Sequence, residues 1–189
     1  MTFIGLDNGV TGSIGLLVED MVIYKPMPVF RQLNYTKSVQ WLHRIDAAAL
    51  TAFLGDFRDG RAVCVIERPM INPGRWKATV SAIRALEATQ TVLEMLRIPY
   101  HFIDSKEWQH VMLPSGFWKI KPDKKGKGRL VADPKELKEA SFHVGRRLFP
   151  QVDWTSFKDA DGLLIAEYAR RSHKVAYQGT PVEEVQSPA

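Results

Sequence analysis

The chain has 189 residues, 45% of them hydrophobic and 25% charged, the composition of one folded domain with a sizeable core. No apolar run approaches the roughly 20 residues that span a bilayer, the N-terminus carries no secretory pattern, and Cys64 is the single cysteine; this predicts a cytoplasmic protein without a disulfide or a membrane partner. The net charge of +5 favours a polyanionic partner.

Phe3–Leu6, Gly12–Val18 and Met21–Tyr24 predict three short strands joined by tight turns. Ala47–Phe57 is apolar on one side and stops at "RDGR", which predicts a helix. "AVCVIE", Ala62–Glu67, is continuously apolar, as expected of a strand buried on both faces within a parallel sheet. After Pro69 and the "NPG" turn comes the longest helical pattern, in which Trp76, Val80, Ile83, Leu86, Leu93 and Leu96 keep helical spacing up to Arg97. Trp76 and Trp108 are expected in the core. "YHFID", Tyr100–Asp104, predicts another strand, and "SKEWQHVML" a helix. A helix follows at Pro134–Phe149, with Leu137, Ser141, Val144 and Leu148 on one face, and a last one at Lys158–Arg171. Nothing after His173 is periodic, so residues 1–173 are expected to form the domain and 174–189 a flexible tail. This order predicts a mixed α/β sheet with helices on its faces.

Between Lys119 and Arg129, "KIKPDKKGKGR" holds six basic residues, Lys119, Lys121, Lys124, Lys125, Lys127 and Arg129, against one acid. Gly and Pro punctuate it, so a mobile basic loop over about 114–133 is expected, either a phosphate-contacting element or a solvated surface loop.

Three acids sit where chemistry is expected. Asp7 ends the first strand and Glu67 ends "VCVIE", so neighbouring strands would bring both carboxylates to one sheet edge. Asp161 shares a helical face with Leu164, Ile165 and Tyr168, the face that packs on the sheet. Each has a plainer reading: Asp7 as a turn former before Asn-Gly, Glu67 as a salt-bridge partner of Arg68 or of a nearby lysine, and Asp161 as a first-turn acid on the helix dipole. Taken together, clustered carboxylates suit hard cations such as Mg²⁺ or Mn²⁺. Two such ions serve phosphodiester hydrolysis, one activating water and one stabilising the leaving oxygen.

"IGLDNGVTGSIGL", "VCVIERPM", "DSKEWQHVMLP", "DPKELK…LFP" and "DADGLLIAEYARR", in that order, resemble the RuvC-type Holliday junction resolvases, the phage members most of all. The resemblance spans roughly residues 3–171. It implies an RNase H-like fold, a five-stranded sheet of three antiparallel strands then two parallel ones with helices on both faces. It implies a homodimer, paired through the long helix, that uses Mg²⁺ (with Mn²⁺ as a substitute), two ions per site, to cut four-way DNA junctions symmetrically in recombination and repair. On this resemblance Asp7, Glu67 and Asp161 match the family's acids, Met70 an apolar residue set against the junction, and Lys135 a basic residue near the scissile strand. The pattern departs at Lys158, where bacterial relatives carry Asp or His. Asp159 is the nearest substitute. In a continuous helix it lies roughly 200° from Asp161, so it is a fourth ligand only if the helix starts late; otherwise Ser156 and Asp159 make a capping box.

The five histidines show no ligand spacing, which argues against zinc. Trp118 beside the basic segment is a candidate for base stacking, and Arg75, Lys77 and Arg84 for phosphate contact. Rival readings are an ATP-binding loop of the actin, Hsp70 and sugar-kinase type in "GLDNGVTGS", a nuclease of this fold acting on other branched DNA or on RNA–DNA hybrids, and a junction-binding relative without activity.

Overall fold

Alternation along the first strands decides which side chains meet which layer. In the computed structural model, which describes residues 1–35, 39–58, 61–122 and 128–177, the chain runs β1 (Thr2–Asp7), β2 (Ser13–Val18), β3 (Met21–Pro26), β4 (Val29–Leu33), β5 (Trp41–Ile45) and α1 (Ala47–Leu54). It continues through β6 (Ala62–Glu67), α2 (Trp76–Met95), β7 (Tyr100–Ile103), α3 (Ser105–Met112), β8 (Lys119–Pro122), β9 (Gly128–Val131), α4 (Pro134–Leu148) and α5 (Asp161–Tyr177). Five strands form one sheet in the order β3-β2-β1-β6-β7. The first three are antiparallel, and β6 and β7 are parallel to β1. This is the RNase H-like α/β architecture expected from the sequence.

Each face of the sheet has its own core. Ile4, Leu6, Ile14, Leu16, Cys64 and Ile66 pack against Leu50 and Leu54 of α1 and Val92 and Leu93 of α2. Phe3, Leu17, Val65 and Ile103 pack against Trp108 of α3, Val144 of α4 and Leu163–Ile165 of α5. A strand alternates its side chains with period two, so Asp7 follows Phe3 and Gly5 onto the α5 face. Glu67 follows Val65, and Ser13 lies opposite Asp7, on that same face. The parallel register sets Leu6 beside Ile66, which brings Asp7 and Glu67 to one end of neighbouring strands.

Backbone approach fixes the position of α5. A Cβ on Gly5 would overlap the backbone of Gly162 and Ala166, and one on Gly15 would overlap Gly162 and Leu163. The helix therefore lies directly on β1 and β2, and its first residue, Asp161, sits over the ends of those strands.

The structure departs from the sequence expectations at several places. The last helix begins at Asp161, not Lys158, because Tyr24, Trp154 and Phe157 form a ring cluster that holds the preceding segment out of the helix. The backbone of this helix continues to Tyr177, and residues 178–189 lie outside the described residues. Within the basic segment, Lys119–Pro122 and Gly128–Val131 pair as antiparallel strands, β8 and β9, and residues 123–127 lie outside the described residues. A further hairpin, β4–β5, stands where no element was expected. Trp76 is 69% exposed instead of buried, because it opens α2 beyond the part of the helix that covers the sheet. Trp108 is fully buried, as expected.

Candidate active site

At the common end of β1 and β6, Asp7, Asp159 and Asp161 each bring a carboxylate oxygen within 4.8 Å of the others. β1 delivers Asp7, and the first residue of α5 delivers Asp161. Asp159 arrives from the irregular segment before that helix. The late helix start removes the angular conflict between Asp159 and Asp161, and it leaves Ser156 too far from α5 to cap it. Tyr24 Oη donates to the Asp159 carbonyl at 3.0 Å and is hydrogen-bonded to the Ser13 hydroxyl at 3.0 Å. Ser13 Oγ in turn accepts from Gly162 N at 3.2 Å. These bonds tie the acid-bearing segment to the sheet.

Glu67 stands outside the group of three but beside it. Its Oε2 accepts a 2.7 Å hydrogen bond from Trp108 Nε1, and its charge is felt at Asp7. Arg68 pairs with Asp104 at 3.3 Å and not with Glu67, while the Lys138 charge, which pairs with Asp159, is also felt at Glu67.

Two side chains of α4 complete the cluster, and neither was expected there. Lys138 Nζ pairs with Asp159 Oδ2 at 2.6 Å. Ser141 donates a short hydrogen bond to Asp161 and accepts one from Ala160 N at 3.0 Å. Lys135, the basic residue carried over from the resemblance, is exposed at the start of α4, where its backbone N–H donates to the capping Asp133. Only the helical spacing of the sequence bears on these two residues. Ser141 interrupts an apolar stripe, and Lys138 lies three residues before it, one turn along that face.

The electrostatics are those of an under-compensated anionic pocket. Burial, then the charges of Glu67 and Asp159, push Asp7 up to about 7, against a smaller pull from Lys138. Burial, then Asp159 and Asp7, push Asp161 to about 7, although the Ser141 hydrogen bond and Lys138 act the other way. Glu67 is likewise pushed to about 7 by burial, with the Trp108 hydrogen bond opposing and Asp161 adding to the rise. At Lys138, partial burial pulls the ammonium down, but Asp159 and the other acids outweigh it and raise it. Four carboxylates against one ammonium leave a deficit of positive charge in a site that desolvates its anions. Oxygen donors at this spacing fit a hard divalent cation.

The remaining candidates lie around this centre. Met70 is 81% exposed and lines a recess beside Glu67 with Asn8, Asn72 and Arg75. Lys119 and Lys121 are in β8 and Arg129 is in β9; Lys124, Lys125 and Lys127 lie outside the described residues. Trp118 stacks on His110 with centroids 3.9 Å apart, so a protein ring already covers one of its faces.

No protein-family model matches the chain, and no curated protein matches it. Solved structures do, two of RuvC among them. Thermus thermophilus RuvC in complex with a Holliday junction substrate superposes with a TM-score of 0.56 at 12% identity, over 93% of this chain and 96% of that one. The fold is that of RuvC. A structure of Thermus thermophilus RuvC alone gives a TM-score of 0.54 at 13% identity, over 93% of this chain and 97% of that chain. Across a RuvC fold spanned nearly end to end, the acid cluster occupies the ends of the central strands, the place where open α/β sheets build their sites. No helix among the described residues is long and apolar enough to cross a membrane.

Proposed function

We propose that the chain is a metal-dependent endonuclease that resolves four-way DNA junctions by phosphodiester hydrolysis. The observation that carries this reading is the convergence of Asp7, Asp159 and Asp161 within 4.8 Å, with Glu67 beside them, on a fold shared with a protein solved on a Holliday junction.

In this reading Asp7, Glu67, Asp159 and Asp161 hold Mg²⁺, two ions per site after the resemblance, with Mn²⁺ as a substitute. Bound there, the metal supplies Lewis acidity at the scissile phosphate and lowers the pKa of a water to make the nucleophile. The protein's own part is positioning. Trp108 fixes the Glu67 carboxylate through its Nε1 hydrogen bond, and Ser141 orients Asp161. Lys138 holds Asp159 and, half exposed at the rim, offers a cation to the phosphate that enters. Lys119, Lys121, Arg129 and Lys135, with Lys124, Lys125 and Lys127, contact the DNA backbone, which makes affinity fall steeply with salt. Met70, on the exposed lip next to Glu67, packs against the opened junction centre.

Symmetric cutting of a four-way junction requires two such sites, so the working unit is a homodimer. On the resemblance, the copies pair through α2. A DNA-resolving enzyme of this kind acts in the cytoplasm of a bacterial or phage-infected cell.

The experiment is a comparison of labelled substrates with Mg²⁺. The reading predicts that four-way junctions are cut and that flaps, simple duplex and RNA–DNA hybrids are cut far more slowly. Preferential cutting of hybrids or flaps would keep the metal site and reject the junction as substrate.

A further inference from the structure

α2 carries four charged residues, Lys77 and Arg84 in its first half and Glu87 and Glu94 in its second, and all four are exposed. This order runs against the helix dipole, which favours acids in the first turn and cations in the last; α2 has neither there. Among the described residues neither Arg84 nor Glu87 has an ion-pair partner. The order is antisymmetric about the middle of the helix, between Ala85 and Leu86. Arg84 and Glu87 lie equally far from that point, and so do Lys77 and Glu94. The apolar residues follow the same rule: Trp76, 69% exposed, mirrors Met95, 71% exposed, and Ile83 mirrors Ala88. Beside Trp76, the β4–β5 hairpin and the first half of α2 border an open groove of about 390 Å³, with Tyr35 and Trp41 along it.

Exposed rings beside charges of both signs mark a surface that is covered in use, and the charge order selects what covers it. A polyanion would meet Lys77 and Arg84 but would be repelled by Glu87 and Glu94 on the same helix. A second copy with α2 parallel would set the two Arg84 at one level and the two Glu87 at the next. A second copy with α2 antiparallel sets Arg84 beside Glu87 and Lys77 beside Glu94, each twice, because a two-fold contact that joins one residue to another also joins them in reverse. The same register brings Met95 of one copy to Trp76 and the aromatic groove of the other, a contact that suits a thioether. At the shallow crossing of about 20° common in helix pairs, helices of 20 residues stay close along most of their length.

We propose that two copies pair with their α2 helices antiparallel about a two-fold axis between Ala85 and Leu86, joined by Arg84–Glu87 and Lys77–Glu94 pairs, with Met95 of each copy seated between Trp76 and Trp41 of the other. This register rests on the reading that the working unit is a homodimer paired through α2. It adds the direction of pairing, the residues at the axis and the part played by the β4–β5 hairpin.

The test is the mass of the full chain without DNA, read by sedimentation equilibrium in chelator, so no readout depends on cleavage. Wild type is expected to dimerise. Arg84→Glu and Glu87→Arg are each expected to weaken the dimer at least about tenfold, because each sets like charges together at both symmetric contacts. An equimolar mixture of the two variants restores opposite charges at both contacts. It is expected to dimerise like wild type at concentrations where each variant alone is monomeric. Trp41→Ala, on the hairpin, is expected to weaken the wild-type dimer at least about fivefold. Lys106→Glu, at an exposed position of α3, is expected to leave it unchanged. Should a charge reversal fail to fold by circular dichroism, Lys77→Glu and Glu94→Lys replace the pair, with the same recovery on mixing. A monomeric wild type overturns the proposal together with the homodimer reading. A wild-type dimer that neither reversal weakens, or variants that stay monomeric when mixed, overturns this register alone and leaves the homodimer standing. Wild-type dimerisation by Trp41→Ala overturns the hairpin's part in it.

Discussion

Asp7→Asn should stabilise the metal-free protein at alkaline pH, although it removes the residue most central to the proposed activity. The Asp7 carboxyl is raised from 3.8 to about 7 by burial and by the charges of Glu67 and Asp159. Each pH unit between the folded and unfolded values is worth ~1.4 kcal/mol, so keeping the group ionised at pH 8 costs the fold up to ~4 kcal/mol. Part of that cost remains with Asp161 and Glu67, which relax when one charge of the cluster is removed, and the amide must itself be accommodated. A net gain of about 2 kcal/mol is therefore expected, or ~4–8 °C in Tm for a chain of this size. The sign follows from the raised folded pKa. The cluster's stability is complete below the unfolded value near 4 and is lost as pH rises through about 7. The gain from Asp7→Asn should thus be large at pH 8, shrink through pH 6 and vanish near pH 4. The assay is thermal unfolding of both proteins in chelator across that range. If Asp7→Asn lowers Tm at pH 8 in chelator, the cluster is not under-compensated and the electrostatic argument fails.

Three further outcomes follow from the same geometry. Mg²⁺ or Mn²⁺ should raise the wild-type Tm several degrees at pH 8 and far less at pH 5.5, where protons compete for Asp7, Glu67 and Asp161; equal shifts at both pH values would place the ion elsewhere. Trp108→Phe keeps the buried ring but removes the donor to Glu67, so it should cost about 1–3 kcal/mol in urea unfolding and move the alkaline-rising limb of the cleavage pH profile upward, because Glu67 loses the bond that favours its ionised form. Gly5→Ala inserts a methyl group into the backbone of α5; overpacking of this kind costs about 1–3 kcal/mol or more, and cleavage should fall with it as Asp161 moves off Asp7, which unfolding and activity measured on the same preparation will check.

The main sheet and its two faces were legible because their signals are local and periodic. "AVCVIE" reads as a buried parallel strand, and the parity that sends Asp7 and Glu67 to the α5 side is contained in the strand ends themselves. What escaped the sequence depends on contacts between distant segments. Asp159 could not be placed from helical periodicity, because the helix start is set by Tyr24, 135 residues away, which binds the Asp159 carbonyl. Lys138 and Ser141 belong to the acid cluster through the packing of α4 against α5, and no short motif records that. The β4–β5 hairpin was missed because a strand with both faces in water has no alternation to read. In the basic segment, charge and glycine mask the strand character of Lys119–Pro122 and Gly128–Val131.

The most direct test of the central claim is cleavage of a labelled synthetic four-way junction with Mg²⁺ by the wild type, Asp7→Asn and Asp159→Asn, with products mapped on all strands. The account predicts paired, symmetric nicks that disappear in Asp7→Asn and fall by orders of magnitude in Asp159→Asn, while both variants still bind the junction. Tight binding without any cleavage by the wild type in Mg²⁺ or Mn²⁺ would contradict it.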